Sequence, residues 1–210
     1  MEKPVWPACE RNREPLLNKL RNILPSGTQR IFEIGSGTGQ HADWFTAHEP
    51  SWIWQTSDQA EYLPGIRAWQ LAATRPNFPP PELLDVREPS HWAALREQSA
   101  VSWNWIYNAN ALHIMSWETV RAMFAALPEV MSNETGLLLY GPFNRGGQFT
   151  SASNAAFDAS LRERDPNMGI RDLEVVHELA LDIGLSAPTI HEMPANNLLL
   201  EFKPHPENRF

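Results

Sequence analysis

The chain has 210 residues, enough for one domain with a single buried core. Hydrophobic residues make up 42% and charged residues 20%, the balance of an ordinary globular protein, with a formal net charge of −8. That charge excludes broad binding to nucleic acid, which calls for an excess of Lys and Arg along a phosphate backbone.

Helical and strand-like segments alternate from one end to the other. A first helix is expected from Arg13 to Leu24, with Leu16, Leu17, Leu20, Ile23 and Leu24 on one face and Pro15 in its first turn. Arg30 to Ile34 reads as a buried strand. The turn Gly35 to Gly39 then opens a helix through His48. Trp52 to Thr56 is the second strand, Pro64 to Thr74 a helix, and Glu82 to Val86 a short third strand. Ser90 is placed to cap a helix ending at Gln98. Trp103 to Asn108 is the fourth strand, and Ser116 caps a helix with the stripe Val120, Met123, Phe124 and Leu127. Gly136 to Gly141 is the fifth strand. Residues 142 to 170 interrupt the alternation with polar loops and a helix near Asn154 to Arg164. Asp172 starts the next helix and Gly184 stops it. Ala187 to Glu192 and Asn197 to Phe202 are strands with so short a connection that they must pair antiparallel.

Five βα units and a terminal hairpin imply an α/β, Rossmann-like fold of the class I methyltransferase type. It is a seven-stranded, mostly parallel sheet with helices on both faces. The whole chain, 1 to 210, reads as one such domain.

The strongest local signal is Glu33-Ile34-Gly35-Ser36-Gly37-Thr38-Gly39, at a strand-to-helix turn. Glycines allow the sharp turn and a close ligand, and the helix start supplies free N–H donors. A dinucleotide fingerprint needs its third glycine three residues after the second, where this chain has Gln40; the glycine falls one residue early. The spacing points instead to S-adenosylmethionine (SAM), with S-adenosylhomocysteine (SAH) as product. Glu33 is the candidate partner of its amino group, with Gly35, Ser36, Gly37, Gly39 and His41 around it. Asp58, 19 residues past Gly39, stands where a carboxylate accepts from ribose hydroxyls. Asp85 and Val86 are the candidates for the adenine, and Asn108 for the cofactor side of the fourth strand. Each acidic residue has a bland alternative as a cap or turn residue.

Several further segments carry a resemblance: Glu10-Arg11-Asn12, Gly37-Thr38-Gly39-Gln40-His41, Tyr140-Gly141-Pro142-Phe143, Arg164-Asp165-Pro166, Gly169-Ile170-Arg171-Asp172 and Met193-Pro194-Ala195-Asn196-Asn197. They are similar to the methyltransferase-like protein twenty-six family, also catalogued as a bacterial domain of unknown function. The resemblance spans nearly the whole chain. It implies a class I SAM-dependent methyltransferase fold and no particular methyl acceptor.

The acceptor should lie beyond the carboxyl ends of the strands. His113 is the candidate general base, because its intrinsic pKa lies near neutrality, and Tyr140 is a second catalytic candidate. Either could equally be a packing residue. Residues 141 to 171 form a candidate acceptor-binding insertion, with Asn144, Asn154 and Arg171 as substrate-binding candidates, and residues 1 to 12 a candidate lid. A small-molecule acceptor is expected, with a protein acceptor as the alternative. No metal is expected, since the histidines show no ligand spacing and Cys9 is the one cysteine. Leu137 to Tyr140 and the other apolar stretches are too short to cross a bilayer, and residues 1 to 15 lack a signal-peptide core. A cytoplasmic protein without a membrane partner is therefore expected. A non-catalytic SAM- or SAH-binding module and, further off, a nucleotide-dependent oxidoreductase are the competing readings.

Overall fold

A computed structural model describes residues 2–98 and 102–206. The elements run α1 (Pro7–Ile23), β1 (Gln29–Ile34), α2 (Gln40–His48), β2 (Trp52–Asp58), α3 (Leu63–Ala73), β3 (Glu82–Leu83) and α4 (Pro89–Gln98). They continue with β4 (Trp105–Ala109), α5 (Trp117–Ala126), β5 (Gly136–Gly141), β6 (Phe143–Asn144), α6 (Ala152–Arg164), β7 (Arg171–Asp172), α7 (Leu173–Asp182), β8 (Thr189–Met193) and β9 (Asn197–Phe202). Seven strands form one sheet in the order β3-β2-β1-β4-β5-β9-β8. Pairings among β1 to β5 are parallel, and β9 runs antiparallel between β5 and β8. This is the Rossmann-like methyltransferase fold with its antiparallel C-terminal hairpin.

The sheet is covered on both faces, so its strands are apolar on both sides rather than alternating with polar residues. Successive side chains still take opposite faces. Ile31, Trp105, Tyr107, Leu138 and Tyr140 pack with Leu16 and Leu20 of α1, Phe45 of α2 and Ile66 of α3. Phe32, Ile106, Leu137 and Leu139 pack on the other face with Trp92 of α4, Phe124 of α5 and Val176 of α7. Each such fully buried large side chain contributes roughly 2 kcal/mol. The helix starts are fixed by chemistry as well as packing. Ser116 Oγ accepts the Thr119 N–H at 3.1 Å and Ser151 Oγ that of Asn154 at 3.1 Å. Such caps stabilise by about 1 kcal/mol each.

Several boundaries depart from the sequence reading. The first helix starts at Pro7, six residues before Arg13, so Pro15 lies inside it and has no N–H for the Arg11 carbonyl. α4 starts at Pro89, which puts Ser90 within its first turn rather than ahead of it as the cap. β3 is an edge strand of two residues, because after Leu83 the chain turns away and Asp85 Oδ1 accepts the Arg87 N–H at 3.0 Å. The interruption before α7 contains a second, two-stranded sheet, with β6 parallel to β7. α6 therefore lies outside the two cores, over the carboxyl-terminal edge of the main sheet. No helix among the described residues is long and apolar enough to cross a membrane.

Candidate functional site

The strand order reverses between β1 and β4, and two cavities open at that point beyond the strand ends. The first, about 410 Å³, lies over the turn after β1 and is lined by Glu33, Gly35, Ser36, Gly37, His41 and Asp58. Its other walls are Trp6, Cys9, Tyr62, Arg87, Asn110 and Arg164. The second, about 840 Å³, lies between α1, α6 and the β8–β9 turn. Ala8 and Asn110 line both. Both volumes fall in the range of small-ligand sites.

The glycine turn is built from three positive φ angles, +71° at Gly35, +57° at Gly37 and +84° at Gly39, which side chains with a Cβ rarely adopt. Ser57 O accepts from the N–H groups of Gly35 and Ser36, tying the turn to β2. Gly37 N–H donates to Asp58 Oδ2 at 2.7 Å and Gln59 N–H to Oδ1 at 2.7 Å. Burial nevertheless raises the Asp58 pKa to about 6, with the nearby Glu61 charge adding to it. Glu33 is buried and accepts from Trp54 Nε1 at 3.0 Å. Burial, with a smaller push from Asp58, raises its pKa to about 7. A cation brought against Glu33 would favour its ionised form, and the free lone pairs of Asp58 can accept from a diol. His41 Nε2 is buried on the cavity wall without a hydrogen-bond partner. These groups suit a ligand with an ammonium and vicinal hydroxyls, and the glycine turn lines the cavity with Gly37 beneath the Trp6 ring.

Other sequence candidates lie elsewhere. Gly39 is not on the cavity wall; a Cβ there would meet Ile66 of α3 at 3.1 Å, so it serves close helix packing. Asp85 is held by Arg87, whose Nη2 lies 2.6 Å from Oδ2, and this pairing lowers its pKa. Val86 is buried in the core. Arg87, two residues past Asp85, reaches the cavity in their place. Asn108 lies under the glycine turn, donating from Nδ2 to Ile34 O at 2.9 Å.

On the acceptor side the structure brings together His113, Tyr140 and Asn154 in the second cavity. His113 is buried edge-on to Phe157, and burial, aided by Arg171 and Arg164, lowers its pKa to about 4. It is therefore neutral at physiological pH and a weak base. Burial raises the Tyr140 pKa, partly offset by the side-chain amides of Asn12 and Asn197. Asn154 Nδ2 donates to Thr150 Oγ1 and Asn196 O. Arg171 is absent from both cavities. It donates to the carbonyls of Leu112, Met115 and Asn167, fastening the insertion to the turn after β4. Asn144, on β6, also lies outside both walls.

Further residues complete the site, some within the candidate lid of residues 1 to 12 and Asn110 in the segment after the fourth strand. The Trp6 ring covers Gly37, and the Trp6 backbone N–H donates to Gln40 Oε1 at 2.6 Å. Pro4 O accepts from Trp69 Nε1 and Lys3 sits over the Trp69 ring, so the N-terminal segment straps across α3. Met1, part of the candidate lid, lies outside the described residues. Asn110 has φ +57° at the junction of the cavities, a backbone state that Asn tolerates better than most residues. Among the described residues no three His, Cys, Asp or Glu side chains gather as metal ligands.

Fold and sheet order define the class: a Rossmann-like methyltransferase fold. Solved structures similar to this chain bear that out. An O-methyltransferase family protein from Burkholderia thailandensis matches with a TM-score of 0.75 at 13% identity, over 96% of this chain and 58% of its own. Mitomycin 7-O-methyltransferase MmcR matches at 0.74 and 13%, over 92% and 54%. Human N-acetylserotonin methyltransferase, solved with SAM, matches at 0.69 and 12%, over 94% and 53%. The chain thus spans little more than half the length of these proteins. By sequence the chain belongs to the family described as "Protein of unknown function (DUF938)", whose profile matches residues 3–204.

Proposed function

We propose that this protein is a SAM-dependent methyltransferase acting on a small molecule in the cytoplasm. The narrower kinship with the methyltransferase-like protein twenty-six family is part of the same reading. The observation that carries it is the pair of adjoining cavities at the strand-order reversal, the first bearing Glu33 and Asp58 around the glycine turn. SAM, when bound, supplies an electrophilic methyl on a sulfonium. Glu33 would hold the methionine ammonium, Asp58 the ribose hydroxyls, and Gly35 to Gly37 the adjoining backbone contacts. Ala8 and Asn110, shared by both walls, would mark the passage between cofactor and acceptor. The protein's part is to orient and desolvate, and those effects carry much of the rate in such displacements.

A second reading is a SAH- or SAM-binding module without catalysis. It draws on the weak basicity of His113, the one imidazole among the described residues of the acceptor cavity. Calorimetric titration with SAM, SAH and NAD tests the main proposal. Saturable binding of the first two and none of NAD is expected. A folded protein that binds neither SAM nor SAH overturns it, and tight NAD binding alone would move the chain to nucleotide-dependent redox chemistry. Turnover with any acceptor separates enzyme from module.

A further inference from the structure

The two cavities divide their charge. Glu33, Asp58 and Asp165 line the first together with Arg87 and Arg164, whereas among the described residues the second has no Asp, Glu or Lys on its wall. Its one ionised side chain is Arg11, since His113 is neutral. The rest of the polar wall is amide and hydroxyl, including Asn12, Asn110 and Asn154.

Arg11 reaches this wall because Ala8, Arg11, Asn12 and Pro15 share one face of α1, at helical spacing. The neighbouring acid does not neutralise it, because Glu10 pairs with Arg13 at 3.0 Å. Among the described residues Arg11 makes no ion pair or hydrogen bond. An unpaired guanidinium facing a cavity without counter-charge offers a fork of donors matched to one carboxylate. A single cation suits a monoanion better than a phosphate dianion. Pro142 and Phe157 supply apolar surface for the remainder of such a molecule.

We propose that the methyl acceptor is a small carboxylate with an apolar body, anchored through its carboxylate by Arg11 in the second cavity. The proposal rests on the methyltransferase reading of the first cavity.

The test uses the full chain saturated with SAH, titrated by calorimetry or NMR with four probes that share a phenyl ring: benzoate, its isostere benzamide, benzylamine and phenyl phosphate. Benzoate is expected to bind about tenfold tighter than the others, the scale of one charge-assisted bidentate contact. Arg11→Gln, at an exposed helical position, should erase that advantage while SAH affinity stays within about twofold. Benzamide or benzylamine binding as tightly as benzoate overturns the inference. So does tighter binding of phenyl phosphate, a preference surviving in Arg11→Gln, or no benzoate binding at millimolar concentration. Those outcomes leave the cofactor reading standing if SAH binds, whereas absence of SAH binding removes the reading on which the inference rests.

Discussion

The Trp6 ring lies over Gly37 so closely that a Cβ added to the glycine would sit 2.5 Å from Trp6 Cζ3. Gly37 thus makes room for the strap from the chain's start as well as for a close ligand. The ring also meets Tyr62 edge-on, at 6.3 Å between centroids, so it bridges the glycine turn and the start of α3. Trp6 is 44% exposed, and its removal should cost the fold little. Trp6→Ala should leave the melting temperature within a few degrees of wild type while weakening SAM binding about tenfold, chiefly through faster dissociation. Stopped-flow release of SAM checks this; an unchanged dissociation rate would separate the strap from the cofactor cavity.

Asp58 serves two masters, since its carboxylate already fixes the Gly37 and Gln59 N–H groups. Asp58→Asn can keep only one of these as an acceptor contact, and Asp58→Ala keeps neither. SAM affinity should fall in the order wild type, Asn, Ala, by about 1 kcal/mol or more at the last step from lost hydrogen bonds. Glycine-turn order, read from amide hydrogen exchange at Gly37, should fall in the same order. If Ala binds SAM like wild type, Asp58 is only a turn residue.

The sheet was legible because both of its faces are covered: runs such as Leu137 to Tyr140 could only be buried strands, and the four residues between the last two strands permitted nothing but a hairpin. Glu33 to Gly39 was legible because turn, strand end and helix start are contiguous in sequence. Asp58 followed from strand spacing. At Asp85 the structure takes the turn alternative, the carboxylate accepting from the Arg87 N–H two residues on and from the Arg87 guanidinium, a choice that strand spacing does not decide. Arg171 looked like a substrate ligand from its place in a polar insertion beyond the fifth strand, yet three carbonyls engage it, and carbonyl geometry leaves no mark in sequence. Trp6 fell within the candidate lid of residues 1 to 12, but its own contacts were not legible for a similar reason. Its partners, Gly37, Gln40 and Tyr62, are far along the chain and meet it only once α3 has packed on the sheet.

Glu33 sets stability against binding. Its folded pKa, about 7, is raised above the ordinary 4.5 by burial. Between those values the native state holds a proton that the unfolded chain releases, so this contribution is complete below about pH 4.5 and lost as pH rises through 7. At pH 8 the buried carboxylate costs the ligand-free protein up to about 3 kcal/mol. Glu33→Gln keeps an oxygen for Trp54 Nε1 and removes the charge. It should raise the melting temperature at pH 8, leave it nearly unchanged at pH 4.5, and weaken SAM binding at least about tenfold. Calorimetric melting at the two pH values with parallel titration measures both halves. A variant less stable than wild type at pH 8 would show that the carboxylate is solvated.

His41 and His113 act with the opposite sign. Burial lowers both from 6.5 to about 4, with Arg13 reinforcing the shift at His41 and Arg171 and Arg164 at His113. Their contribution is full above about pH 6.5, where the unfolded imidazoles are neutral, and is lost as pH falls toward 4 and unfolding lets them charge. Glu33 and Asp58 gain over much of that same window, so the wild-type profile from pH 7 to 4.5 should be shallow. Removing one side of the balance exposes the other. Glu33→Gln should lose stability more steeply on acidification than wild type, and His41→Gln less steeply. Imidazole resonances followed by NMR give the site-specific check: His41 and His113 should hold their neutral shifts from pH 7.5 down to about 5. A His113 midpoint near 6.5 would mean that water reaches the ring, and the acceptor cavity would then contain a competent general base for a hydroxyl.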